Sequence, residues 1–177
     1  WTNRTVAQLL ADLSLGQEEF IVPPFTTYAP VALAVWFSAN AMTCMRFQVQ
    51  RTGTYRWVNF GVGTQSGNVQ VGVLQLTRSG TNVDGTRIAH SGVISCPATG
   101  SARVDIGSTL LTRGDYALFF WCDNTTATFF HGSSTVIQVN HRMSFTATGL
   151  ASGVPSGVTA LSTTARFFNG LTLESDS

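Results

Sequence analysis

Alternation of apolar and polar residues dominates the chain from Ala29 onward and predicts short β-strands. Met45, Phe47 and Val49 alternate with polar neighbours, a pattern typical of a strand with one buried face. The same period of two recurs between Gly, Asn, Asp and Ser turns, and it predicts about nine strands. The predicted strands cover residues 30–39, 45–49, 54–62, 68–77, 87–95, 102–106, 116–122, 126–131 and 136–146.

The run of residues 68–77 changes phase part of the way along. Apolar residues alternate as far as Val73 and then continue at Leu74, which predicts a β-bulge near Gly72. The next segment, Asn82-Val83-Asp84-Gly85, has the composition of a turn.

Two further strands differ in how their faces are composed. Residues 116–122 are apolar at nearly every position, which predicts a strand buried on both faces. In residues 54–62, regular alternation places Arg56 on the same face as Val58 and Phe60.

The first 28 residues carry a different pattern. Apolar residues recur at helical spacing after Thr5, which opens a capping-box-like segment, and Gly16 is a typical helix end. Ile21-Val22-Pro23-Pro24-Phe25 then predicts an extended, proline-stiffened connector. We interpret residues 1–28 as a neck made of a short helix and this connector. The sequence begins at Trp1 without a methionine or a signal-like segment, which indicates a piece of a longer protein.

The absence of helical patterns between the strands decides the fold class. Parallel strands need crossover connections, usually helices, so the sheets are predicted to be antiparallel. We therefore predict an all-β fold: an antiparallel two-sheet β-sandwich, jelly-roll-like, spanning residues 29–149 and preceded by the neck. Residues 150–177 are rich in Gly, Ser and Thr and are predicted to be a C-terminal tail, in which residues 166–173 could add an edge strand.

Composition excludes several classes of partner. Charged residues make up only 11% of the 177 residues, and the formal net charge is +1. A net charge near zero gives no basic field for phosphates, so we expect no nucleic-acid binding. No apolar run reaches the roughly 18 residues of a membrane-spanning helix, so we expect no membrane insertion.

The sequence offers few groups for catalysis. It contains no GxSxG elbow, no HExxH helix and no glycine-rich phosphate loop. His90, His131 and His141 are isolated from one another and from cysteines, so we expect no metal site and no cofactor. A non-enzymatic protein is therefore predicted.

Two cysteine and glycine features have simpler structural interpretations. Cys44, Cys96 and Cys122 are an odd number at wide spacing, so we interpret them as buried free thiols without a disulfide. Arg113-Gly114-Asp115 matches an adhesion tripeptide, but a turn before a strand also explains it.

The passage from Leu110 to Phe129, LLTRGDYALFFWCDNTTATF, resembles a pattern from bacteriophage tail fibre and minor tail proteins. In those proteins a leucine, a glycine turn and an aromatic-rich strand ending in a polar Asp/Asn loop recur near the C-terminus. The lysine-free, Thr- and Gly-rich composition is similar to that of tail proteins of phages that infect actinobacteria. The sequence departs from the pattern at Arg113, where a turn proline is common.

The resemblance implies the receptor-binding head domain of a phage tail. Such a domain is usually a homotrimer, lies at the tail tip of the virion, follows the rest of the fibre and binds a glycan or protein of the host cell surface. Two other functions stay open: a viral capsid or tail-decoration jelly roll that serves assembly only, and a carbohydrate-binding module of a secreted glycan-degrading enzyme. A trimer, a large assembly and a monomer in solution would distinguish the three.

Two places combine aromatic rings with planar hydrogen-bonding groups, which together suit a sugar ligand. The first is the loop after the aromatic strand. Its candidate residues are Trp121, Asp123, Asn124, Phe129, Phe130 and His131. The second is the segment that follows Gly53, with Tyr55, Arg56 and Trp57 as candidates. The first place is preferred because loops on a rigid sheet scaffold often carry function.

Overall fold

The computed structural model describes residues 32–131, 144–163 and 171–176, and the predicted neck of residues 1–28 lies outside these ranges. The described residues form two antiparallel sheets, one of five strands and one of eight, which confirms the all-β, two-sheet prediction. The strands are β1 (Ala32–Val35), β2 (Ala41–Val49), β3 (Gly53–Thr64), β4 (Asn68–Ser79), β5 (Asn82–His90), β6 (Ile94–Ser95), β7 (Gly100–Leu111), β8 (Gly114–Cys122), β9 (Thr128–His131), β10 (Ser144–Ala147), β11 (Gly157–Val158), β12 (Ser162–Thr163) and β13 (Thr172–Ser175).

The pairing of the long strands is nested. β4 pairs with β5, β3 with β7, β2 with β8 and β1 with β9, all antiparallel. The five-stranded sheet is centred on β3, which has β7 on one edge and both β9 and β13 on the other. The eight-stranded sheet has the order β11-β5-β4-β8-β2-β10-β12, with β6 also on β4.

Strand β8 is apolar on both faces because each face lies in a different core. Tyr116, Leu118 and Phe120 point toward the five-stranded sheet, whereas Phe119 and Trp121 point to the opposite side. This confirms the prediction that residues 116–122 are covered on both faces. We call the cluster between the sheets the inner core and the cluster behind the eight-stranded sheet the outer core.

The outer core is closed by residues from the C-terminal part of the chain. Phe145 of β10, together with Val154, Val158 and Leu161, covers the outward face of the eight-stranded sheet. β11 pairs with β5 and β12 with β10, and β13 pairs with β3 in the other sheet. Residues 150–163 thus join the eight-stranded sheet, and residues 171–176 join the five-stranded sheet.

A bulge in β3 changes the face that carries Arg56. The pairing of β3 with β13 shifts register between Tyr55 and Trp57, where β3 has one residue more than β13, and Tyr55 and Val58 are both buried. The extra residue of the bulge leaves Arg56 at the outer surface, where it forms an ion pair with Asp105. The prediction that Arg56 shares the apolar face of Val58 is therefore wrong.

The interruption of the apolar–polar alternation after Val73 is not caused by a bulge in β4 itself. β4 continues to alternate, with Val73 in the inner core and Leu74 in the outer core. The register shift occurs in the pairing with β5, where Ala89 and Arg87 lie opposite these two residues and Ile88 is extra. The predicted bulge is present at this level of the sheet, but the additional residue belongs to the neighbouring strand.

The turn predicted at residues 82–85 is wrong, since these residues begin β5. The chain reverses at Gly80 and Thr81 instead, and Gly80 has a φ of 62°. Glycine adopts a positive φ with little strain, which suits it to this turn. Asn82 and Asp84, whose residue types predict a turn, instead pair with Ser79 and Thr77 in the β4–β5 ladder.

Candidate functional site

The outward face of the five-stranded sheet carries a tryptophan flanked by two guanidinium groups. The ring of Trp57 has the guanidinium carbon of Arg103 at 4.1 Å from its centroid and that of Arg56 at 5.0 Å. The side chains of Arg103 and Arg56 are 51% and 41% exposed, so this arrangement is at the surface. We call Arg56, Trp57, Arg103, Asp105 and Glu174 the Trp57 cluster.

Strand pairing brings the members of the Trp57 cluster together. In the ladder Trp57 lies opposite Asp105 of β7 on one side and opposite Glu174 of β13 on the other. Residues directly opposite in antiparallel strands have Cβ atoms about 5 Å apart, within reach of long side chains. The β3 bulge adds Arg56 to this face. Three strands far apart in sequence thus build one surface.

Each guanidinium group is held by a carboxylate. Arg56 donates from Nε and Nη2 to Asp105 Oδ2 at 3.1 and 2.8 Å. Arg103 donates from Nε and Nη2 to the two oxygens of Glu174 at 3.2 and 2.5 Å, a bidentate pair. Asn59 adds a hydrogen bond from Nδ2 to Glu174 Oε2 at 3.0 Å. These bonds fix the planar groups around the ring.

The electrostatics of the cluster keep its carboxylates ionised. The hydrogen bond from Arg56 and that from the Gly107 backbone N–H lower the pKa of Asp105. The hydrogen bonds from Arg103 and Asn59 likewise lower the pKa of Glu174. Asp176, 3.8 Å from Arg56 Nη1, adds a third carboxylate against two arginines. The face therefore presents both donors and acceptors without an excess of positive charge.

The second predicted place is partly reproduced by this cluster. Arg56 and Trp57 lie on the outward face, but Tyr55 is buried in the inner core and is not accessible there. The predicted combination of an aromatic ring with planar hydrogen-bonding groups is present, with Arg103 and Glu174 as partners that sequence reasoning missed.

A signal for part of the missing set exists in the sequence. Arg103 and Asp105 occupy the polar positions of the alternating run Ala102-Arg103-Val104-Asp105-Ile106, which places them together on the solvent face of one strand. Glu174 has no comparable signal, because its contact with Trp57 depends on the long-range pairing of β13 with β3.

The aromatic members of the first predicted place are divided between the two cores. Trp121 is buried in the outer core, where its Nε1 donates to the carbonyl oxygen of Leu150 at 3.0 Å. Phe129 is buried in the inner core. Phe130 is partly buried on the outward face of the five-stranded sheet, against Gly61. His131 ends β9, and its side chain lies outside the description.

The polar members of the first place hold a loop. Asp123 accepts hydrogen bonds from the backbone N–H of Asn68 at 2.9 Å and from its Nδ2 at 2.7 Å. Asn124 accepts from the backbone N–H groups of Thr126 and Ala127 at 2.9 and 3.0 Å. These are turn-stabilising contacts, and the structure does not bring Asp123 and Asn124 together with an exposed ring of Trp121 or Phe129.

Comparisons with protein-family models, with curated proteins and with solved structures find no match for this chain. Among residues 32–131, 144–163 and 171–176, no group of three His, Cys, Asp or Glu side chains is placed to hold a metal ion. No helix within these ranges is long and apolar enough to cross a membrane.

Proposed function

We propose that this chain is a non-enzymatic recognition domain that binds a carbohydrate of a bacterial cell surface. The observation that carries the proposal is the Trp57 cluster, an aromatic side chain at the surface with two guanidinium groups held over its ring by carboxylates. Sugars present C–H faces that pack on aromatic groups and hydroxyl groups that bond to planar donors and acceptors. A sheet fixes such groups more rigidly than a loop does.

The strand arrangement supports a finer description of the fold as a jelly roll. The nested pairing of β1 with β9, β2 with β8, β3 with β7 and β4 with β5 is what rolling an eight-stranded hairpin produces. Jelly rolls are used in lectin domains and in viral capsids. Because a fold hosts many functions, this supports the class of protein and does not select the ligand.

Within this class, we propose the receptor-binding head of a bacteriophage tail fibre or minor tail protein, located at the tail tip of the virion. The proposal combines the resemblance of residues 110–129 to such proteins with the Trp57 cluster as the binding surface. The head would follow the rest of the fibre and attach to a glycan or protein of the host cell.

A homotrimer is the assembly that we propose for this head. The edge strand β1 exposes 55% of Leu33 and 63% of Val35 on the outward face of the five-stranded sheet. Leu33 lies opposite Phe130 in the ladder, which extends the apolar area onto β9. Exposed apolar side chains on an edge strand favour burial between copies of the chain.

Cell labelling tests the proposed binding surface. A fluorescent form of the chain is incubated with a panel of bacteria, chiefly mycolate-bearing actinobacteria, before and after protease treatment of the cells. We expect labelling that survives protease treatment and is lost in the Trp57→Ala variant, with Leu110→Ala, an exposed residue on β7, as the control. Equal labelling by Trp57→Ala and the native chain, at equal thermal stability, would remove the Trp57 cluster from consideration.

Sedimentation distinguishes the alternative functions. A trimer of about 57 kDa, three times the 19.0 kDa chain, supports the tail head. A capsid or decoration protein is expected to form a large assembly, and a carbohydrate-binding module is expected to stay a monomer. Replacement of Leu33 and Val35 by Ser is expected to dissociate the trimer. A native chain that sediments as a monomer at micromolar concentration would overturn the proposed trimer.

A further inference from the structure

A polar cleft lies at the end of the β2–β8 pair, on the eight-stranded sheet and thus apart from the Trp57 cluster. Its volume is about 220 Å³. The residues that line it are Gln48, Val49, Gln50, Arg113, Gly114 and Asp115. This size suits a single small group or one sugar unit, since it lies below the range of pockets for drug-sized molecules. We call it the Arg113 cleft.

The geometry of the chain keeps the Arg113 cleft open. The β2–β8 ladder ends with Val49 opposite Gly114, and the chain bends at Arg113 before entering β8. The hydroxyl group of Tyr116 donates to the carbonyl oxygen of Thr112 at 2.9 Å, which holds the bend in place. The walls are therefore preorganised by the fold.

The charges of the cleft are unequally satisfied. Asp115 accepts hydrogen bonds from Arg46 Nη2 at 2.7 Å and from Gln48 Nε2 at 2.9 Å, so both of its oxygens are engaged. Arg113 forms no hydrogen bond or ion pair with any described residue, although it lines the same cleft. The unpaired charge of the cleft is thus a guanidinium group.

The surroundings of Asp115 are positive as well. The hydrogen bond from Arg46 lowers the pKa of Asp115, against the opposing effect of burial, and Gln48 and Arg78 lower it further. Arg46 and Arg78 therefore both stabilise the ionised Asp115 carboxylate, and Arg113 lines the same cleft. The adhesion-type interpretation of Arg113-Gly114-Asp115 also loses support here, because Asp115 is held by neighbouring side chains and is not presented to a partner.

We infer that the Arg113 cleft binds the anionic group of an acidic saccharide. The planar guanidinium group of Arg113 can donate two parallel hydrogen bonds to a carboxylate or phosphate. Gln48 donates to Asp115 and accepts from Gln50 Nε2 at 3.4 Å, which leaves the second N–H of each amide and the oxygen of Gln50 for adjacent hydroxyl groups of the same sugar. The inference goes beyond the proposed function, because it assigns a second site with a different ligand chemistry.

Calorimetric titration with small sugars tests the inference. The probes are glucuronate, glucose 6-phosphate and glucose, so that the carboxylate, the phosphate and the neutral ring are compared directly. We expect at least one anionic probe to bind at millimolar concentration, more weakly at high salt, with glucose at least tenfold weaker. Whichever anionic sugar binds identifies the anionic group. Absence of binding by both, or equal binding of glucose, would overturn the inference.

Variants separate this site from the Trp57 cluster. We expect Arg113→Ala to weaken binding of the anionic probe about tenfold or more, and Arg113→Lys to weaken it less, because charge remains but the bidentate geometry is lost. Thermal unfolding of both variants is expected to be unchanged, since Arg113 has no described partner. Trp57→Ala is expected to bind the anionic probe normally. Unchanged binding by Arg113→Ala would show that the cleft is not the site.

Discussion

Nε2 of Gln70 lies 3.2 Å from Nδ1 of His90, and Oε1 of the same amide accepts a hydrogen bond from the backbone N–H of Val154 at 2.7 Å. Through these two contacts Gln70, which is only 2% exposed, joins β5 to the segment that covers the outer core. The backbone N–H of Gly92 also donates to Nδ1 of His90, at 2.9 Å. Two donors thus meet one ring nitrogen, which requires an unprotonated Nδ1.

The first prediction is that acidification weakens the fold through His90. Burial lowers the pKa of His90, and the positive charge of Arg87 lowers it further. The folded chain then binds fewer protons than the unfolded chain, so this contribution to stability is complete above the unfolded pKa of about 6.5 and decreases as the pH falls below it. Thermal unfolding between pH 8 and pH 5 measures the effect. His90→Asn is expected to show a smaller loss, and an identical pH profile of the two proteins would contradict this.

The second prediction concerns Gln70 itself. In Gln70→Ala the backbone N–H of Val154 loses its partner in a buried position, which is expected to lower the free energy of unfolding by about 1–3 kcal/mol. Gln75→Ala, at an exposed position of the same strand, serves as the control and is expected to change stability by less than about 0.5 kcal/mol. Urea unfolding of both variants makes the comparison. A similar small effect in both would show that Val154 finds another acceptor.

The third prediction uses two glycines in strands with different surroundings. A Cβ atom on Gly72 would lie 2.1 Å from the carbonyl oxygen of Ala89, a backbone atom that cannot move independently. Gly72→Ala is therefore expected to destabilise the chain by about 2 kcal/mol or more. Gly157→Ala has open space around the new Cβ atom and is expected to be tolerated. Equal melting temperatures of the two variants would show that β4 and β5 can separate without cost.

The sequence predicts elements whose signals are local and misses those that depend on pairing. Residues 116–122 are correctly predicted to be buried on both faces, with Phe119 in one core and Phe120 in the other. Burial of both faces requires an apolar residue at nearly every position of the strand, so the signal is local. Leu74 interrupts the apolar–polar alternation because it faces the outer core, which, unlike solvent, also favours apolar residues. Whether a second cluster covers the back of a sheet depends on distant residues such as Leu161, which the run around Leu74 does not encode.

The candidate site shows the same division. Arg56 and Trp57 are adjacent in sequence and are predicted together, but the face on which Arg56 lies depends on a bulge that appears only when β3 pairs with β13. Glu174 reaches the site because β13 adds to β3, a contact across more than 110 residues. Long-range ladder partners of this kind cannot be read from the composition of either strand.

The fourth prediction is that the three thiols are unreactive in the folded chain. Cys44, Cys96 and Cys122 are buried, which confirms that part of the sequence interpretation. Burial raises the pKa of Cys44 to about 12 and that of Cys122 to about 11, and it also raises the pKa of Cys96. Because the thiolate is the reactive form, iodoacetamide at pH 8 is expected to label the native chain slowly.

Unfolding in urea supplies the comparison for the thiols. We expect three labels per chain after denaturation without reductant, measured as intact mass. Rapid labelling of native protein would contradict the burial of the thiols. A mass lower by two hydrogens, with only one label after denaturation, would reveal a disulfide.

The last prediction concerns the loop that the sequence favoured as a binding site. Asp123 accepts hydrogen bonds from Asn68 and Asn124, and the tight approach of Gly67 to both Asp123 and Asn124 locks two loops together. Burial raises the pKa of Asp123, but hydrogen bonds from the Asn68 backbone and from the side chains of Asn124 and Asn68 outweigh it, so the pKa is lowered overall. The ionised carboxylate is therefore part of the fold.

Asp123→Ala is expected to lower the free energy of unfolding by about 1–3 kcal/mol, because it leaves the backbone N–H of Asn68 without its acceptor. The depressed pKa means that the native chain keeps this contribution above about pH 4 and loses it as the pH falls through the lower folded value, whereas Asp123→Asn should show a flatter acid profile. Thr125→Ala, exposed in the same loop, is the control.

Cell binding by Asp123→Ala, measured well below its melting temperature, is expected to persist. If Asp123→Ala instead lost cell binding and kept its native stability, this loop would be the binding site. A purely structural role of Asp123 requires lower stability with binding preserved.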